Sequence, residues 1–268
     1  MSYDLPRTIL GRTGLSVTRL GIGGAYCQTP EGYCAALDCG ANYVDTARAY
    51  RDGKDEEIIG QAIVGRRDKL FLATKTLQRD AASARRDLET SLKLLGTDYV
   101  DIWHLHHLNT EAERSRALAP GGAYEAALKA REEGLIRFIG VTGHDWAEVG
   151  KAVATGLFDT VLCWYNCAMK EPEQLIFPHA LVHGTGVVIM NASRNDKLFG
   201  GPGAPEPADF YRYVLSHEAV QMTVMGLRDV SLFQKVAQAL AERSTLGIEG
   251  KLRLEEYGAQ MRAAGKLN

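Results

Sequence analysis

Four residues of the kind that move protons stand at or just beyond the ends of short apolar runs. Asp45 closes YVD, Lys75 closes FLATK, His106 lies near the end of DIWHLHH, and Tyr50 follows Asp45 by five residues. An isolated buried lysine or aspartate is costly, but adjacent strand ends bring Asp45 and Lys75 within reach of an ion pair that keeps both charged. An ammonium beside a phenol favours the phenolate, so Lys75 is expected to draw the pKa of Tyr50 down from its ordinary value of about 10 toward working pH. His106 is expected to orient a substrate oxygen by hydrogen bonding. Such a set suits proton delivery to a carbonyl oxygen while hydride arrives at its carbon, or the reverse reaction on an alcohol. Asp45 and Lys75 alone would equally make a buried structural pair, and it is the succession of three polar strand ends that favours chemistry. His104 shares a strand face with His106 one layer deeper, where a core histidine is expected, and His107 is placed to line a substrate pocket.

Holding these side chains together requires a parallel sheet whose strand ends meet on one side. β-branched or apolar runs recur along the chain, each followed by a helical stretch and bounded by Gly or Asp, which is the alternation of βα units. They predict strands at residues 19–23, 43–46, 70–75, 99–106, 136–142, 160–166, 186–192 and 220–226. Several, such as LFLAT and MTVMG, are nearly continuous apolar runs, as expected of strands covered on both faces. Eight of them make an α/β fold, a (β/α)8 TIM barrel, as one domain over residues 1–268. RTILGRTGLSV, ahead of the first strand, reads as a β-hairpin that plugs the bottom of the barrel. Residues 231–245 and 249–264 read as helices after the last strand, so the fold ends on an extra C-terminal helix. GGPGAPEP, residues 200–207, is too rich in Gly and Pro for a helix and reads as a loop at the active end.

Composition narrows the function. The 268 residues are 46% hydrophobic and 24% charged with a formal net charge of −2, which gives a full core and no electrostatic reason to bind nucleic acid or an anionic membrane. The opening MSYDLPRTIL lacks a basic stretch followed by a long apolar run, and no later run is long enough to span a bilayer, so a cytoplasmic protein is expected. Five cysteines, Cys27, Cys34, Cys39, Cys163 and Cys167, form no CxxC pair and are expected to be free thiols rather than a metal site. No GxGxxG joins a strand to a helix, so a Rossmann site is not the route to a dinucleotide.

The residues match a known family: along essentially its whole length the chain resembles the aldo-keto reductases. LGRTGLSVTRLGIGG resembles the family's N-terminal hairpin and first strand, VDTARAY its Asp and Tyr segment, ATK its Lys strand and DIWHLHH its His strand; DEEIIGQAI and GLIRFIGVTGH also fall where members carry similar sequence. The resemblance implies an NADP(H)- or NAD(H)-dependent oxidoreductase acting on aldehydes, ketones, sugars or the corresponding alcohols. It makes Tyr50 the acid/base, supported by Asp45, Lys75 and His106. It implies cofactor contacts from Thr142, His144, Asn166, Asn191, Ser193, Arg194, Gly226 and Arg228, with Ser193, Arg194 and Lys197 offering donors to a pyrophosphate. Arg228 suits a 2′-phosphate and so favours NADP over NAD. Tyr26, Cys27, His107, Trp164 and the loop around Phe199 are the expected substrate wall. The chain departs from the family at Gly143 and Leu162, where members carry amide side chains for the carboxamide, at Asn191, where many stack an aromatic ring, and at Leu232 and Val236, where members often grip the adenosine with polar groups.

A carbonyl reductase or sugar dehydrogenase acting on a small-molecule substrate is the leading expectation. A redox-neutral epimerase or lyase could use the same acid-base set, and a non-catalytic nucleotide-sensing subunit could keep the barrel without turnover. The helices carry no clean oligomer signal.

Overall fold

The computed structural model describes residues 2–267. Two antiparallel strands, β1 (Arg7–Ile9) and β2 (Ser16–Thr18), form the N-terminal hairpin. Eight parallel strands follow: β3 (Leu20–Gly23), β4 (Tyr43–Asp45), β5 (Phe71–Thr76), β6 (Val100–Leu105), β7 (Ile136–Thr142), β8 (Thr160–Trp164), β9 (Gly186–Met190) and β10 (Met222–Gly226). Each pairs with its sequence neighbour, and β10 closes on β3 through Val224 opposite Gly21 and Gly226 opposite Gly23. All eight expected strands are present, most of them trimmed by a residue or two at the ends.

The period of two along a strand decides what fills the barrel. Tyr43, Ala73, Ile102, Leu162, Val188 and Met222 point inward as one buried cluster, and the hairpin adds Leu10, Leu15 and Val17 to it from below. Burying side chains of this size contributes roughly 1.5–3 kcal/mol each. The hairpin reaches that depth because Gly11 has φ +50 and lies against the start of β9, where a Cβ would stand 2.3 Å from the Gly186 nitrogen. Two residues further along each strand, the same alternation brings Asp45, Lys75, His104 and Trp164 to the upper layers of the interior.

The helices cover the outside with one apolar face each. Ala81–Leu95 is representative: Asp80 caps its start by accepting from the Ser83 amide, Gly96 ends it with φ 63, and Ala84, Leu88, Leu92 and Leu95 recur at helical spacing on the buried side. Pro207 begins the helix Pro207–Leu215 instead of ending the preceding loop, as suits a proline at a first helical turn. The last two helices, Val230–Glu242 and Ile248–Ala263, lie where they were expected. The second of them touches the loop after β9, since the Tyr257 hydroxyl donates to the Leu198 carbonyl at 2.8 Å. Among the described residues no helix is long and apolar enough to cross a membrane.

Candidate active site

A cavity of about 380 Å³ opens at the C-terminal ends of the strands, and Asp45, Tyr50, Lys75 and His106 all line it. That volume is within the range of small-molecule sites. Register fixes the floor: β4 ends on Asp45, Lys75 is the penultimate residue of β5, and the His106 amide donates to the Thr76 carbonyl just past the end of β6. Met190 and Val224 add apolar surface from β9 and β10.

Lys75 is the hub. Its Nζ donates to Asp45 Oδ2 at 2.6 Å, to the Thr46 carbonyl at 2.6 Å and to the Tyr50 hydroxyl at 3.3 Å, so all three ammonium donors are used. Burial opposes the lysine's charge, but Asp45 and Tyr50 outweigh it and hold the pKa of Lys75 above its ordinary value. Burial likewise raises the pKa of Asp45, with Lys75 pulling the other way. The same balance corrects the expectation for Tyr50: burial outweighs the ammonium, and the phenol's pKa is raised, not lowered. Tyr50 is therefore held in its protonated form, with the Lys75 ammonium beside its hydroxyl.

One wall is a run of rings in contact, each tilted against the next. His106 and His107 lie 4.0 Å apart centre to centre, His107 and His144 4.3 Å, and His144 and Trp164 4.3 Å, with the Arg194 guanidinium 4.8 Å from the Trp164 ring. Burial first, then the Lys75 charge, lowers the pKa of His106, so its imidazole is neutral at ordinary pH. Its Nδ1 is buried without a hydrogen-bond partner. His107 bends the wall with φ 56, and Arg79 holds that bend by donating to the His106 and His107 carbonyls at 2.8 Å each. His104 lies in the core below, fully buried, with burial lowering its pKa to about 3. The space for its ring exists because residue 140 is glycine, where a Cβ would meet His104 at 2.3 Å.

The opposite rim is made by loops. Tyr26 packs on Gly226, lies 3.9 Å beneath the Arg228 guanidinium, and donates its hydroxyl to Asn195 Oδ1 at 3.2 Å. Asn191, Arg194, Asn195 and Asp196 all have left-handed backbones, with φ between 53 and 66. Such a run of strained non-glycine residues is costly and recurs at functional sites.

Thr142, His144, Asn191, Ser193, Gly226 and Arg228 line the cavity, as do Tyr26, His107 and Trp164. Other expected contacts lie elsewhere. Cys27 is buried beside the site with its thiol turned to the Thr29 carbonyl. Asn166 is fully buried and acts indirectly: its Nδ2 donates to the Asn191 carbonyl and its Oδ1 accepts from the Ala168 amide, bracing the bend at Asn191. Arg194 lies over Trp164 behind the wall, and Phe199 packs on Phe210. Leu162 is in the barrel core one layer below Trp164, and Val236 faces the core from its helix. Asn195, Asp196 and Tyr211 line the cavity but were not singled out from the sequence. The polar run SRND carried a signal for the first two, whereas Tyr211 reaches the site only through the packing of its helix.

The Aldo/keto reductase family profile matches residues 30–196. The chain is 33% identical over 196 residues to aldo-keto reductase YhdN of Bacillus subtilis (strain 168), covering 65% of this chain and 57% of that protein, so it spans less than two thirds of that relative's length. Among solved structures it superposes on the holo form of aldo-keto reductase AKR11C1 from Bacillus halodurans with a TM-score of 0.82 at 22% identity, covering 95% of this chain and 96% of the other. It also superposes on the Klebsiella pneumoniae aldo/keto reductase in complex with NADP and acetate, with a TM-score of 0.79 at 24% identity over 95% and 96% of the two chains.

Proposed function

We propose that this chain, which belongs to the aldo/keto reductase family, is an NADP(H)-linked oxidoreductase that reduces the carbonyl group of a small aldehyde, ketone or sugar, with Tyr50 as the proton donor. The observation that carries the reading is the single contact chain Asp45–Lys75–Tyr50 with His106 beside it in one cavity. The Klebsiella relative's complex with NADP supports the choice of cofactor.

The residues present fit a nicotinamide dinucleotide. Thr142 Oγ1 is buried at the cavity wall without a partner, which suits a carboxamide in place of the missing amide side chains. Asn195 and Arg228 offer donors along the rim, and Gly23, Gly24 and Gly226 line the cavity with backbone. Arg228, at the rim, supports a preference for the 2′-phosphate. When bound, the nicotinamide supplies the hydride.

Tyr50 donates its proton to the carbonyl oxygen as charge develops there, and the buried Lys75 ammonium stabilises the phenolate that remains. Asp45 keeps Lys75 charged and aimed. The neutral His106 ring orients the carbonyl without competing as an acid. The wall of His107, His144 and Trp164 is an aromatic surface for the body of the substrate. We read residues 1–268 as one barrel domain, and the odd cysteine count supports a reducing cytoplasm.

The test is NADPH titration by protein fluorescence, followed by single-turnover oxidation of NADPH against a panel of aldehydes, ketones and aldoses. Quenching with saturation and carbonyl-dependent NADPH oxidation are expected. Absence of NADPH binding by the folded protein would remove the proposal.

A further inference from the structure

Behind the Lys75 contact lies a second carboxylate that the proton transfer above does not use. Asp55 is fully buried in the first turn of the helix Lys54–Ala62, which starts after Gly53 at φ 88. Its Oδ1 accepts from the Tyr33 hydroxyl at 2.7 Å and its Oδ2 from the Thr46 hydroxyl at 2.6 Å. The backbone carbonyl of that same Thr46 accepts from Lys75 Nζ. Asp55 also presses on the cavity floor, since a Cβ at Gly24 would stand 2.3 Å from its Oδ2.

A carboxylate buried between two neutral hydroxyls is costly, although the helix N-terminus offsets part of that cost. Two hydroxyl donors could be satisfied by a neutral acceptor, so hydrogen bonding alone gives no reason for the charge. Its position ties it to the site: Asp55 holds the Thr46 hydroxyl, the Thr46 carbonyl holds Lys75, and Lys75 holds Asp45 and Tyr50.

We propose that Asp55 is a positioning residue of the catalytic site: through Thr46 it fixes the carbonyl that holds Lys75, and it sets a second negative charge behind the Lys75–Tyr50 contact. The proposal rests on the reading of Tyr50 as proton donor. The Asp55 charge opposes ionisation of both Tyr50 and Asp45. The other groups facing Tyr50 and Asp55 are Asp45 on β4, Lys75 on β5, His106 just past β6 and Tyr33 on the helix Pro30–Leu37, with Arg51 and Cys27 beside Tyr33. Glu56, next on Asp55's own helix, is bound to Arg48 and Thr74.

The experiment is an NMR titration of ligand-free protein labelled at tyrosine Cζ, with the Tyr50 signal assigned by its loss in Tyr50→Phe. In Asp55→Asn the Tyr50 phenol is expected to ionise about one pH unit lower than in wild type. The alkaline limb of kcat for carbonyl reduction should move down in step, with the KM for NADPH unchanged within about twofold. Asp55→Ser removes the charge with a smaller side chain and should move Tyr50 in the same direction if the amide variant fails to fold. Thr46→Ser keeps the hydroxyl and should retain about tenfold more activity than Thr46→Val. A Tyr50 titration unmoved in the folded Asp55 variants, or equal activity in the two Thr46 variants, overturns the proposal. A wild-type protein that binds NADPH but reduces no carbonyl overturns the proposed function instead, and the ligand-free titration still decides whether Asp55 acts on Tyr50.

Discussion

The floor and the rim of the cavity are built in opposite ways. On the floor, Asp45 and Lys75 sit at the ends of paired strands, buried and mutually bonded. On the rim, Tyr26, Asn195, Asp196 and Arg228 come from three loops and meet through longer contacts, 3.2 Å from Tyr26 to Asn195 and 3.8 Å from Arg228 to Asp196. The floor is fixed by strand register, which admits no small adjustment without flipping side chains to the other face. The rim is held by left-handed backbone and half-exposed side chains, whose individual contacts are worth about 1 kcal/mol or less. In the proposed function the proton path lies on the part fixed by register, and the cofactor contacts lie on the part held by loops.

That contrast can be broken most decisively at Tyr50. Tyr50→Phe removes one hydroxyl and should lower kcat by about 10²–10⁴ while NADPH binding by fluorescence persists; an unchanged kcat would detach the floor from the chemistry. Lys75→Ala leaves Asp45 buried without its cation and should cost about 3–5 kcal/mol in urea unfolding. A loss below about 1 kcal/mol would mean that the floor is not electrostatically locked.

Acid should weaken the floor in a defined direction. His104 and His106 have folded pKa values below the roughly 6.5 of an unfolded histidine, so the unfolded chain binds more protons once the pH falls under that value. Stability should decline from about pH 6.5 downward, by at most about 1.4 kcal/mol per pH unit for each imidazole, and continue toward pH 3 for His104. Half-exposed His144 contributes less because solvent screens it. Urea midpoints that stay level between pH 6.5 and 4.5 would contradict this.

The rim should respond most mildly. Arg228→Ala is expected to weaken NADPH binding about tenfold and NADH binding much less, by removing a guanidinium suited to the 2′-phosphate. Equal losses for the two cofactors would instead assign Arg228 to packing Tyr26.

Much of this was legible in the residues themselves. The β-branched runs marked all eight barrel strands, and the Gly-containing turn in RTILGRTGLSV marked the hairpin, because backbone period and turn chemistry are local properties. Asp45, Lys75 and His106 stood out because a barrel interior is otherwise apolar, so polar residues at successive strand ends point to a site. Cys27, Arg194 and Phe199 were less legible: each lies within a few residues of a true cavity wall, and a loop's turn decides on which side its chain passes. Asn166 shows the same limit in another form, since nothing local says that its amide braces the carbonyl of Asn191, 25 residues away.

The sign of the effect on Tyr50 divides sequence from structure most clearly. From sequence alone Lys75 was an ammonium beside a phenol and should lower its pKa. In the fold, burial opposes ionisation of the phenol more strongly than one ammonium favours it, and the direction reverses. The sequence by itself determined the barrel, the strand ends and the chemical types gathered there, because those follow from periods of a few residues. Only the tertiary structure decided the protonation of Tyr50, the link from Asp55 through Thr46 to Lys75, and which loop residues face the cavity. Desolvation and long-range hydrogen bonds depend on how distant segments pack, and no local pattern encodes that.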